Sequence, residues 1–325
     1  MCDYESGLVY QINNGDSIFA KIDLTTVIFS CFTILINPVA LCLTFQVAIN
    51  AHLLSILIML EITSEILVAI SQIANKLCPY FMATSQMWLN VLACYMWTSE
   101  FLISLFNSFC RQNILGMVIE RCFNIYYPNT DLLRFPKTVG GLFCFSLTYN
   151  LISNLHLVIS VELNSNGQCQ VISEAIIEDT HKLDLIVLRN ISLVMIDILP
   201  FVLVTVVCIL VILSRQKHKR KNSIFINQQS DGTKSIQRQL DLLVLVWCSL
   251  GVIINAVDIF LDICDVYKEC KFIFEVTHVT LELIRSIVFV MRSLTLFTIL
   301  SPMRSEILKY LKIFSKYTQF CKNKT

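Results

Sequence analysis

Seven stretches of this chain are too apolar and too long to be shared among the elements of one soluble core. They cover about 24–45, 52–74, 91–119, 139–161, 185–213, 240–263 and 272–300. A helix rising ~1.5 Å per residue needs ~20 residues to cross the ~30 Å hydrocarbon core of a bilayer. Each stretch meets that length. Inside lipid no water satisfies the backbone N–H and C=O groups, so each stretch must be helical. The expected fold is an all-α membrane protein, a bundle of seven transmembrane helices. Composition agrees, because only 15% of residues are charged, against ~25% in soluble domains. Pro38 and Pro200 lie inside two of the stretches, where membrane helices tolerate proline as a kink.

The distribution of Lys and Arg sets the expected orientation. With the N-terminus outside, the inner segments hold 16 of the 25 basic residues and the outer segments six. The remaining three, Arg111, Arg285 and Arg292, lie within helices. The first inner loop, residues 46–50, has no basic residue. Residues 1–23 carry Asp3, Glu5, Asp16 and Asp23 against Lys21. That lacks the basic start of a cleaved leader, so the first apolar stretch is expected to act as its own insertion signal.

In this orientation Cys2, Cys78, Cys94, Cys169, Cys264 and Cys270 fall on or near the outer side, which permits disulfides. Cys94 precedes Arg121 by 27 residues, about 40 Å of helix, and so marks the outer end of the third helix. Cys169 lies in the second outer loop. The expected disulfide is Cys94–Cys169, with Cys78 as the rival partner, and Cys264 and Cys270 are close enough to pair. Asn190-Ile-Ser192 matches a glycosylation acceptor, but it sits too near the fifth helix for use to be expected.

The polar residues inside the apolar stretches carry the chemistry. Glu120-Arg121-Cys122 closes the third stretch. An arginine at an inner helix end, held by an acid at rest and released when helices part, is a switch for an intracellular partner. Arg suits it because its fork stays charged and makes several directed hydrogen bonds. The candidate resting partners are Glu120 and Asp241. The basic run 215–221 in the third inner loop fits both anionic lipid and a G-protein contact. Nine further ionisable residues lie within the helices: Glu61, Glu65, Glu100, Arg111, Asp197, Asp258, Glu282, Arg285 and Arg292. Such residues face a bundle interior. Glu61 and Glu65 share a helix face, and Glu282 is spaced to pair with Arg285. The candidate ligand pocket is Glu65, Tyr95, Trp97, Glu100, Asp258 and His278. After the seventh stretch, residues 301–325 form the inner tail. Ile307, Leu308, Leu311 and Phe314 recur there at helical spacing with Lys309, Lys312 and Lys316 largely elsewhere. That pattern predicts an amphipathic helix in the inner interface, followed by Cys321 as a palmitoylation candidate.

On Glu120-Arg121, the cysteines at 78, 94 and 169, and Ser301-Pro302-Met303-Arg304, the chain resembles the nematode serpentine chemoreceptors, nearest the class A/AB/B (Sra, Srab, Srb) superfamily. The resemblance covers nearly the whole chain. It departs from rhodopsin-like receptors in lacking Asn-Pro-x-x-Tyr in the seventh helix and in carrying Cys122 after Arg121. The resemblance implies a receptor in the plasma membrane of sensory cilia that detects an external small molecule and activates a heterotrimeric G protein.

No enzyme motif is present. The histidines at 52, 156, 181, 218 and 278 make no metal spacing, so no metal, cofactor or nucleic-acid partner is expected. The absence of Lys from 272–300 removes the anchor for a retinal Schiff base. The rival reading is a transporter or ion channel that uses the intramembrane charges as a relay. It lacks the matching broken helices or internal repeat of many transporters.

Overall fold

The computed structural model describes residues 18–47, 52–77, 85–126, 136–163, 169–171, 187, 191, 193–222, 231–266 and 271–322. The chain is an all-α membrane protein with one small strand pair. Its helices are α1 (Ile18–Gln46), α2 (His52–Leu77), α3 (Met87–Leu92), α4 (Phe101–Tyr126), α5 (Pro136–Ser153) and α6 (Leu155–Ile159). They continue as α7 (Leu199–Asn222), α8 (Asp231–Val266), α9 (Lys271–Ile299) and α10 (Ser301–Lys322). Residues Ala93–Thr98 and Leu193–Ile198 are π-helical turns ahead of α4 and α7.

Among the described residues, four helical segments are long and apolar enough to cross a membrane: Ile18–Gln46, Leu53–Leu77, Phe101–Asn124 and Ser235–Phe260. Thr277–Ile299 passes together with Ser301–Tyr310, to which it is bent by 92°. The fourth and fifth apolar stretches of the sequence contribute the shorter helices Phe143–Ile159 and Leu199–Leu210. Helices α1, α2, α4, α7, α8 and α9 pack in a ring, α9 closing back on α1, and α5 lies against α4. The surface is the reverse of a soluble protein's. Phe32, Leu35, Phe45, Phe145, Ile253 and Phe260 are exposed, and Glu61, Glu65 and Arg292 are buried. Large apolar side chains spread over every long helix are what a lipid solvent selects. The apolar core packs around Trp247, Leu54, Ile58, Met117, Leu243 and Leu296, toward the C-terminal end of α4.

Three local features depart from uninterrupted spans. The first splits the third apolar stretch, predicted as one helix over 91–119. The chain leaves the π turn at Ser99, and Glu100 takes a left-handed φ of 57°, an uncommon conformation for a residue with a Cβ. Ser99 closes the turn, its Oγ donating to the Tyr95 carbonyl at 2.6 Å and accepting from the Phe101 amide at 3.3 Å. Helix α4 then restarts with the Ser104 amide on the Glu100 carbonyl at 3.0 Å. The second is the antiparallel pair β1 (Val161–Leu163) and β2 (Cys169–Val171), with Leu163 opposite Cys169. The fourth apolar stretch, predicted to be helical through 161, gives way to strand there. The third is the corner between α9 and α10. Helix α9 ends at Ile299, and Pro302 stands in the first turn of α10, where its missing N–H leaves no helical bond unmade. Gln239 on α8 pins the corner, its Oε1 accepting from the Ser301 amide at 2.9 Å and the Ser301 hydroxyl at 3.0 Å. Met303 is fully buried beneath it.

Several expectations fall outside the described residues: Cys2, Cys78, Cys270, most of the first inner loop, and Asn190 with Ser192. The same holds for residues 1–17 and 223–230, and for the side chains of Cys264, Cys321 and the basic run 215–221.

Candidate functional site

The C-terminal end of α4 carries Glu120 and Arg121, the candidate switch. Arg121 is 2% exposed, and its guanidinium faces the carboxylate of its own neighbour. Nε reaches Glu120 Oε2 at 2.5 Å and Nη2 reaches Oε1 at 2.7 Å. This is a two-pronged, charge-assisted pair, the strongest class of side-chain hydrogen bond. Asn124, one turn on, donates to the same Glu120 Oε1 at 2.5 Å. From α8, Asp241 Oδ1 stands 3.6 Å from Arg121 Nη1, an ion pair beyond hydrogen-bond length. Both candidate partners are therefore at the guanidinium, and Glu120 holds it more closely. A cleft between α4, α7 and α8 opens beside them, lined by Val118, Cys208, Val244 and Leu245 with Arg121 and Asp241.

Deeper in the bundle, Arg292 on α9 lies between two carboxylates of α2. Its Nη1 is 2.5 Å from Glu61 Oε1 and 3.2 Å from Glu65 Oε1. Glu61 and Glu65 thus share one face, as their spacing predicts. Asn37 on α1 donates to Glu65 Oε2 at 2.9 Å, and Ser293 donates to Asn37 Oδ1. Three helices are tied by one set of side chains with no measurable exposure at either glutamate. Further out, Asp258 on α8 joins two guanidiniums. Arg111 Nη2 on α4 is 2.7 Å from Oδ2, and Arg285 Nη2 on α9 contacts Oδ1. At the opposite ends of these helices, Lys76 of α2 bridges Asp23 of α1 at 2.8 Å and Glu282 of α9 at 2.6 Å.

These contacts revise one pairing. Glu282 does not pair with Arg285 along α9. Glu282 turns to Lys76 across to α2, and Arg285 turns to Asp258 across to α8. In a helix ring each polar side chain has neighbours on two other helices. There an oppositely charged group on another helix competes with one three residues away.

The six pocket candidates do not share one set of contacts. Glu65 belongs to the Arg292 set. Asp258 belongs to the two-arginine set, with His278 within electrostatic reach. Glu100 is exposed at the helix break, where Asn75 Nδ2 donates to its Oε1 at 3.4 Å. Tyr95 and Trp97 lie in the π turn beside it. Cys94 in that turn is disulfide-bonded to Cys169 of β2, with the Cα atoms 5.2 Å apart. The bond fastens the strand pair to the N-terminal part of the third stretch. Nothing in the spacing of Arg111 or Arg292 within its own helix reveals Asp258, Glu61 and Glu65 as partners. No family model matches the chain, and no curated protein matches it in sequence.

Proposed function

We propose that the chain is a chemosensory receptor with seven transmembrane helices, its N-terminus outside and its C-terminus inside. It detects an external small molecule and activates a heterotrimeric G protein at the plasma membrane. The observation that carries this reading is Arg121, buried at the inner end of α4, clasped by Glu120 and faced by Asp241 across the α4–α8 cleft. A guanidinium held this way is a resting state. Separation of α8 from α4 removes Asp241 and widens the cleft for a partner. The Lys and Arg bias toward the inner segments supports the orientation, and the bent α10 suits a helix lying along the inner interface.

Ligand binding outside must favour the separated state. To move a two-state balance from 1:99 to 99:1, the ligand's preference must reach ~5.5 kcal/mol. The rival reading, a transporter or ion channel, draws on the Glu61–Arg292–Glu65 set, since charges sealed in the bilayer mark ion pathways in such proteins.

One experiment separates the two. Arg121→Ala is compared with the natural chain for surface expression, nucleotide exchange on a co-expressed Gα, and ligand-evoked current or uptake. The receptor reading expects the variant at the surface with exchange abolished. Normal exchange by a surface-expressed Arg121→Ala, or current without exchange in the natural chain, overturns it.

A further inference from the structure

Two free thiols meet beside the cleft. Cys248 of α8 belongs to the apolar core and Cys208 of α7 packs against it. The two side chains share a hydrogen bond. They differ in access. Cys248 is buried, with 1% of its surface exposed. Cys208 is half-buried and lines the cleft with Arg121 and Asp241. A small molecule that enters the cleft therefore meets the Cys208 sulfur, with the Cys248 sulfur in contact with it.

A buried cysteine is ordinarily a small apolar filler. This pair has two further properties, a thiol contact between different helices and one member on the wall of a cleft. Together they make an oxidisable thiol with a second thiol placed to resolve it. Hydrogen peroxide is the matching oxidant. The Cys208 sulfur, as thiolate, attacks one peroxide oxygen, the O–O bond breaks, and hydroxide leaves to take up the proton that Cys208 gave up. Cys208 is then a sulfenic acid. The Cys248 sulfur attacks the Cys208 sulfur, the S–O bond breaks, and the oxygen leaves as water with the Cys248 proton. The balance is two thiols and one hydrogen peroxide to one disulfide and two waters. Bonded, the sulfurs stand ~2 Å apart, a shorter approach along the contact they already make.

We propose that Cys208 and Cys248 are a peroxide-responsive dithiol, with Cys208 oxidised first and Cys248 resolving it, and that their disulfide ties α7 to α8 beside the Arg121 cleft. Helix α7 packs on α4. Its Val204, one turn before Cys208, shares a core with Met117 and Val118 of α4. The bond thus fastens α8 to a helix already seated on α4. Helix α8 then cannot part from α4 without taking α7 along, and the oxidised form keeps the cleft narrow. On the receptor reading the cleft faces the cytoplasm, where disulfides are transient and redox-sensing. The effect on signalling rests on that reading; the dithiol does not.

The test uses the full chain in nanodiscs, reduced with glutathione and then exposed to hydrogen peroxide. Glutathione is the reductant because structural disulfides such as Cys94–Cys169 resist it. The protein is alkylated in denaturant, digested without reduction and read by mass spectrometry. The expected result is a peptide linking Cys208 to Cys248 that forms with peroxide and is lost on return to glutathione. Two variants establish the order. In Cys248→Ala the resolving thiol is gone, and dimedone traps a sulfenic acid on Cys208. In Cys208→Ala no dimedone adduct forms on Cys248. If an alanine variant does not fold, serine at the same position takes its place.

Recovery of both cysteines as alkylated thiols after peroxide overturns the proposal, as does linkage of either one to a different cysteine. A dimedone adduct on Cys248 in Cys208→Ala, with none on Cys208 in Cys248→Ala, overturns it as well. Gα nucleotide exchange is recorded on the same samples. Exchange is expected to fall on oxidation and return with glutathione, and this response is absent from Cys208→Ala. A linked pair with unchanged exchange upholds the dithiol and removes the moving α8 of the receptor reading. Exchange by the natural chain with no linked peptide removes the dithiol alone.

Discussion

Replacing Arg292 by Met tests the centre of the bundle. Met keeps much of the length and removes the charge. Glu61 and Glu65 then lose the cation at 2.5 and 3.2 Å, in a place where neither has measurable contact with solvent. Removing one partner of a buried ion pair costs ~3–5 kcal/mol, because the remaining charge is left desolvated. With ~2.1 cal/mol/K of unfolding entropy per residue over 325 residues, each kcal/mol lowers the melting temperature by ~1.5 °C, so a fall of about 4–7 °C is expected. The assay is thermal unfolding of purified protein in detergent, followed by loss of its monodisperse elution peak. The decisive comparison is the triple variant Arg292→Met, Glu61→Gln, Glu65→Gln. With both carboxylates made neutral, most of the lost stability should return. If Arg292→Met melts like the natural chain, the guanidinium does not compensate those glutamates. If the triple variant melts as low as the single one, the loss is one of packing and the charge argument fails.

At the inner end, Glu120→Gln should raise ligand-free nucleotide exchange more than Asp241→Asn. The Glu120 clasp is a charge-assisted pair worth ~1.5–3 kcal/mol, whereas Asp241 at 3.6 Å lies beyond hydrogen-bond length. The reverse order would show that α8, not the neighbouring acid, restrains Arg121. Mass spectrometry of non-reduced peptides should recover Cys94 linked to Cys169, and a Cys78–Cys169 linkage would refute the pairing. Cys169→Ser should lower stability by ~2–5 kcal/mol, seen as an earlier thermal transition. Tags at both ends should stain without permeabilisation at the N-terminus and only after it at the C-terminus; the opposite pattern sinks the receptor reading.

The long apolar stretches made helices α1, α2, α4, α8 and α9 legible, because a span's length and composition are local properties. The inner-end pairing was legible for a similar reason. Glu120 and Arg121 are adjacent, and Asp241 lies at the matching end of another span. What stayed hidden was long-range. Which carboxylate faces Arg292 depends on how α2 and α9 are rotated about their axes, and no spacing within either helix records that. The break at Glu100 was hidden because nothing in Thr-Ser-Glu-Phe is a helix breaker such as Gly or Pro. The strand pair was hidden because Val161-Glu-Leu163 continues an apolar run whose periodicity does not separate a short strand from a helix end.

The corner at Ser301 bears on how quiet such a protein is when empty. One carboxamide oxygen, on Gln239, serves both the amide and the hydroxyl of Ser301. Any outward swing of the inner end of α8 carries that oxygen away and strands two donors on the stationary corner. Losing one such bond costs ~1 kcal/mol, about a fivefold change in how often the open form is visited. This cost is independent of every charge around Arg121. In the proposed receptor the detection limit is set by spontaneous firing, and there Gln239 would be a second brake on that noise, acting through neutral hydrogen bonds that salt does not screen.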